Sequence, residues 1–197
     1  MDETYIMCEP EIASFRLSLR FPGVPQAHQP NVPVSEIRVE FMGSDCVAAE
    51  TVVSDDWYGF VNLFGDIHTK GSVSRSWVSK HGEWRLDLRS DPNGKIRLVS
   101  VLDGLRDYNH WAVTTDFHLT RQLLRQNYLN IKMFVGACGR STVHGLFPYF
   151  DESIPDFAKR LNQCFDRTKL NEYDRTTFDD GLEWASLPPF PWPKNRE

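Results

Sequence analysis

Strict alternation of apolar and polar positions marks the first clear element of the chain. In Phe15-Arg16-Leu17-Ser18-Leu19-Arg20-Phe21 every second side chain is apolar, so one face is buried and one is wet, the period of a β-strand. Phe21-Pro22-Gly23 stops it, because proline cannot continue a ladder and glycine permits the turn. The stretch from Pro22 to Pro33 reads as an exposed, proline-rich loop. A second alternating run, Glu36 to Phe41, turns at Gly43-Ser44-Asp45 into a third strand, Cys46 to Val53, so these two form a hairpin.

At Ser54-Asp55-Asp56 the period changes. Trp57, Phe60, Val61 and Phe64 fall at helical spacing, which predicts a helix from Asp55 to Phe64 with Ser54 capping its first turn. From Arg75 to Leu119 alternation returns as a three-stranded antiparallel meander. Trp84, Leu86 and Leu88 alternate with charged residues, Asp91-Pro92-Asn93-Gly94 is a tight turn, and Ile96 and Leu98 begin the return strand. Trp111, Val113, Thr115 and Phe117 then alternate in the last strand.

A helix follows from Thr120, with Leu123, Leu124, Tyr128, Ile131 and Phe134 as its stripe, running Arg121 to Val135 and stopped by Gly136 and Gly139. A shorter helix is expected after Ser153, with Pro155 tolerated in its first turn and Phe157, Leu161 and Phe165 on one side. The expected fold is therefore α+β: a twisted antiparallel sheet of about five or six strands, with two or three helices packed on one face. Residues 1–165 form one domain, and 166–197 are expected to be an extended, Pro- and aromatic-rich segment ending in Pro188-Pro189-Phe190-Pro191-Trp192-Pro193. Trp57, Phe60, Trp77, Trp84, Trp111 and Phe117 are the expected core aromatics.

Composition narrows the function. The chain has 197 residues, 41% of them hydrophobic and 25% charged, which is globular rather than disordered. A net charge of -5 gives no electrostatic basis for binding nucleic acid or an anionic membrane. The acidic Met1-Asp2-Glu3-Thr4 lacks the pattern of a secretory signal, no apolar run suits a membrane span, and the four cysteines form no C-x-x-C pair. A soluble cytoplasmic protein with reduced thiols is expected.

The central block carries a pattern, Trp77-x-Ser79-x-x-Gly82, then Leu86-x-Leu88-x-x-Asp91-x-x-Gly94-x-Ile96-x-Leu98, then Trp111. It resembles a bacterial family of unknown function marked by W-x-S-L-E-G, alternating leucines and a D-x-x-G-H-V turn. The resemblance covers roughly residues 54 to 135 and departs from the family at His81, Ser90 and Lys95. It implies a small α+β domain, similar in style to the immunity proteins of bacterial polymorphic-toxin systems.

Catalytic and metal-binding patterns are sparse. The six histidines include no H-x-x-x-H, and His110 and His118 on one strand would stand about 26 Å apart, too far to share a metal. No glycine-rich phosphate loop occurs, so no cofactor is expected. Cys138, between glycines, with His144 six residues on, is the candidate nucleophile–base pair of a small hydrolase or transferase. The acidic residues suggest instead a face for a basic protein partner, with Asp103, Asp107, Asp151 and Glu152 as candidate contacts. Trp192 is a further candidate contact, in a proline-rich tail able to dock a structural module to an aromatic groove. The leading expectation is a non-enzymatic protein-binding domain, an immunity-type antagonist of a toxin.

Overall fold

The computed structural model describes residues 3–9, 13–19, 36–43, 47–54, 56–65, 73–91, 93–106, 109–138, 145–149 and 151–188. The proline-rich stretch 22–33, Cys46, Asp107, His144 and Trp192 lie outside the described residues. The chain is α+β and its sheets are antiparallel, but the strands form two sheets of four rather than one of five or six. The first sheet holds β1 (Glu3–Glu9), β2 (Ala13–Leu19), β3 (Glu36–Met42) and β4 (Val47–Val53), paired in chain order. The second holds β5 (Val73–Val78), β6 (Trp84–Ser90), β7 (Ile96–Arg106) and β8 (Asn109–Leu119), also in chain order. Among the described residues the α-helices are α1 (Trp57–Gly65), α2 (Arg121–Cys138), α3 (Ile154–Cys164) and α4 (Glu172–Ser186).

The alternating runs do what their period requires. On β6 the apolar Trp84, Leu86 and Leu88 are buried while Arg85 and Arg89 are exposed. The two sheets share one core: Phe15 on β2 meets Trp84 on β6 with ring centroids 5.6 Å apart, and Phe41 on β3 meets Phe117 on β8 at 6.3 Å. Gly104 on β7 leaves room for its neighbours, since a side chain there would strike the Trp111 ring and the Glu50 carboxylate of β4. Of the six expected core aromatics, Phe60, Trp77 and Trp84 are buried, and Trp57, Trp111 and Phe117 pack partly buried against them.

The central sequence pattern has a structural reason at each position. Trp77 Nε1 donates to the Asp56 carbonyl at 2.9 Å and ties β5 to the start of α1. Ser79 Oγ donates to Glu83 at 2.6 Å and accepts from the Trp84 amide at 3.0 Å, closing the β5–β6 turn around Gly82, whose φ is +84°. Asp91 accepts from the Lys95 amide at 2.9 Å, and Gly94 at φ +79° completes the next turn. Left-handed backbone at these two glycines costs other residues conformational energy.

Two local expectations change. Asp56, not Ser54, caps α1: its carboxylate accepts from the Gly59 amide at 2.7 Å, while Ser54 Oγ accepts from the Asp56 amide at 3.0 Å, one step upstream. The segment from residue 166 onward is not extended throughout, because it carries a short 3-10 turn at Arg167–Lys169 and the 15-residue α4. Asn171 caps that helix, accepting from the Asp174 amide at 2.8 Å.

α2 organises the rest. Leu123, Leu124, Ile131 and Phe134 enter the core shared with the sheets, whereas Leu129 and Met133 face a second core with Phe157 and Leu161 of α3 and Phe178 and Trp184 of α4. α3 and α4 thus pack on a helix rather than on a sheet face. The link between α2 and α3 is held by Arg160, which makes two 2.7 Å bonds to the Glu152 carboxylate, donates to the Gly145 and Phe147 carbonyls, and stacks 4.1 Å from the Tyr149 ring centre.

Candidate functional site

A cleft of about 310 Å³ opens where α1, α2 and α4 meet. α1 supplies Tyr58, Val61 and Asn62, positions separated by three and four residues and therefore on one helical face. α2 supplies Tyr128, Lys132, Val135 and Gly136, again a single stripe, and Phe147 and Tyr173 complete the walls. Gly136 is required by packing, because a side chain there would overlap the Phe147 ring. Gly65 is required likewise, since a Cβ would stand 2.8 Å from the ring of Tyr128.

The wall between α2 and α4 is charged and buried. The Asp180 side chain is 5% exposed and receives Lys132 Nζ at 2.6 Å and Arg125 at 2.7 Å. Arg125 also reaches Glu183 at 2.6 Å, and the Tyr128 hydroxyl donates to Asp180 at 3.4 Å. Arg125, Tyr128 and Lys132 lie on one face of α2, three and four residues apart, so a single carboxylate on α4 meets all three. Burial pushes the Tyr128 phenol up to about 12, and the nearby Asp180 charge adds to it.

At the mouth stand two exposed aromatics. Tyr58 is 67% and Tyr173 60% exposed, and their hydroxyls meet at 3.0 Å. That hydrogen bond, together with partial burial, raises the Tyr173 phenol to about 12. The Tyr173 phenol is therefore neutral near pH 7, and the two rings present amphipathic surface at the mouth. Each sits in the first turn of its helix; Asp56 caps α1, and Glu172 and Asp174 share the first turn of α4 with Tyr173.

The residues singled out from sequence are dispersed. Cys138 is buried at the end of α2, and burial raises its thiol to about 12, which keeps it protonated and un-nucleophilic near neutral pH. Its proposed base, His144, lies outside the described residues. Asp103 on β7 accepts from Arg85 at 3.0 Å, with His110 3.9 Å away, and Glu152 is held by Arg160, so neither presents a bare charge. Asp151 is exposed, while Asp107 and Trp192 lie outside the described residues. Of the acidic pair Asp179-Asp180, the first bonds Arg167 and the second is the buried carboxylate of the cleft wall.

Tyr58, Lys132 and Tyr173 were not singled out by the sequence pattern. The available signal was Tyr58, an aromatic beside rather than within the Trp57, Phe60, Val61, Phe64 stripe. Among the described residues no group of three or more His, Cys, Asp or Glu is placed to hold a metal ion, and no helix is long and apolar enough to cross a membrane. Compared with known proteins, the chain matches no family model, no curated protein and no solved structure.

Proposed function

We propose that this chain is a cytoplasmic protein-binding domain, an immunity-type antagonist that holds a basic partner at the cleft between α1, α2 and α4. The observation that carries the reading is the exposed Tyr58–Tyr173 pair over a three-helix cleft. Tyrosine offers large, rigid contact area with few rotamers to freeze, and binding energy concentrates on such anchors. The apolar Val61, Val135 and Phe147 of the cleft suit an apolar side chain of the partner, and the carboxylates of Asp56, Glu172 and Asp174 at the starts of α1 and α4 suit cationic residues.

This places the acidic contact surface elsewhere than Asp103 and Glu152, whose charges are spent on Arg85 and Arg160. The resemblance of the Trp77 to Trp111 block to a bacterial family, similar in style to toxin immunity proteins, supports the antagonist form of the reading. The neutral, buried Cys138 thiol weakens the hydrolase reading.

The test is affinity capture from lysate of the source cells with the tagged chain and with a Tyr58→Ala/Tyr173→Ala variant, followed by mass spectrometry. A stoichiometric basic protein, released by salt and lost from the double variant, is expected. Equal capture by both chains would overturn the cleft as the binding surface.

A further inference from the structure

The cleft between α1, α2 and α4 runs along α2. Its lining residues Tyr128 and Gly136 are two turns apart, about 12 Å along the helix axis, with Lys132 midway between them. Four aromatic side chains line it: Tyr58, Tyr128, Phe147 and Tyr173. Its volume of about 310 Å³ falls at the small end of the range for sites that enclose small molecules, roughly 300 to 1,000 Å³. That length and volume, walled by rings, suit a flat aromatic guest, since rings meet one another favourably by offset stacking or edge to face.

Lys132 sets the polarity of the guest. Its side chain is 12% exposed, yet among the described residues its ammonium has one hydrogen-bond acceptor, Asp180, at 2.6 Å, besides the face of the Tyr128 ring. An ammonium carries three N–H donors, so two remain on a residue that lines the cleft, and buried donors without acceptors are costly. Charge does not call for an anion, because Lys132 and Arg125 are matched one for one by Asp180 and Glu183. A cationic guest would be repelled by Lys132 itself. The Tyr58 and Tyr173 hydroxyls are already bonded to each other. The arrangement therefore lacks a neutral acceptor, and a carbonyl oxygen is one. Asn62, one turn beyond Tyr58 on α1 and exposed, adds an amide at the rim.

We propose that this cleft binds a planar, uncharged aromatic small molecule, its rings among the four aromatic side chains and its carbonyl oxygen accepting from Lys132 Nζ. Such a guest takes the space offered to an apolar side chain of a protein partner, so the two exclude each other. The inference stands on the cleft of the free chain and does not need the partner.

The test is a fluorescence titration of the purified full chain with Prodan, a neutral naphthyl ketone whose emission moves to the blue in apolar surroundings. Saturable, blue-shifted binding at one site per chain is expected. The same dimethylaminonaphthalene without its ketone should bind roughly tenfold more weakly, the worth of one hydrogen bond to a charged donor. Lys132→Met should weaken Prodan by a similar factor and leave the ketone-free compound unchanged, a contrast that a loss of packing alone would not produce. Val61→Trp, at a half-buried lining position on α1 and so outside the α2–α4 ion pairs, should fill the cleft and abolish binding of both compounds. Far-ultraviolet dichroism confirms that each variant keeps its fold. Absence of saturable binding, equal losses of the two compounds in Lys132→Met, or binding that survives Val61→Trp would overturn the proposal. The chain is titrated alone, so these outcomes are separate from the capture of a protein partner.

Discussion

The side-chain amide of Asn127 on α2 bonds both backbone polar groups of Met7 on β1: its Oδ1 accepts from the Met7 N–H, and its Nδ2 donates to the Met7 carbonyl, each at 2.8 Å. β1 is an edge strand, and Asn127 stands where the next strand's peptide group would be. Asn130 repeats half of the device by donating to the Tyr5 carbonyl at 3.2 Å. A helix thus closes an edge that would otherwise offer unpaired groups to another chain.

Asn127→Leu should therefore destabilise strongly, because it strands a buried N–H and a buried C=O at once. The expected loss is about 3 kcal/mol in urea unfolding, with more self-association as the β1 edge opens. A loss under about 1 kcal/mol would mean that Asn127 does not carry the edge.

Asp180 joins α2 to α4 through two cations. Asp180→Leu alone leaves Lys132 buried without its partner and should cost about 3 kcal/mol. Asp180→Leu with Lys132→Met should recover much of that loss, since a buried pair replaced by apolar residues is often neutral. Chemical denaturation of the single and double variants reads the difference, and additive losses would contradict the coupling.

The Arg160 clamp predicts a pH effect. Its hydrogen bonds hold the Glu152 carboxyl below the usual carboxylate range, more than partial burial raises it. A depressed folded-state pKa gives stability that is fully present above the unfolded value, about 4.3, and lost as pH falls through the folded value. Glu152→Gln should thus lower stability at pH 7 and flatten its decline in acid, read as urea midpoints from pH 7 to pH 3. An unchanged slope would contradict the clamp.

Cysteine reactivity should follow burial. Cys8 and Cys138 are buried and their thiols raised by it, whereas Cys164 is exposed. Iodoacetamide at pH 8 should label Cys164 well before either of them, as peptide mass spectrometry would show. Fast labelling of Cys138 in the folded protein would restore it as a candidate nucleophile.

How much of this was legible in the sequence depended on how regular each element's burial is. β2, β3 and β6 bury one face, so their alternation announced them, as did the apolar stripe of α2. β1 escaped notice because Thr4 to Cys8 are buried on both faces, lying between β2 and α2, and a two-sided strand does not alternate. α4 was hidden by polarity: Thr177 and Asp180 are buried beside only a few apolar residues such as Phe178 and Trp184. Periodicity gives the face of a strand but not its neighbour, which is why the split into two sheets could not be read. The cleft was equally out of reach, since Tyr58 and Tyr173 are 115 residues apart and meet only through the packing of α1 and α4 on α2.

The most direct measurement places a photo-crosslinking phenylalanine analogue at position 58, at 173, or at the exposed Val47 on β4, in chains expressed in the source cells. The account predicts adducts from positions 58 and 173 to one basic protein, mapping to a stretch with an apolar residue beside Lys or Arg, and no such adduct from position 47. Adducts to that protein from position 47 but not from 58 or 173 would contradict it.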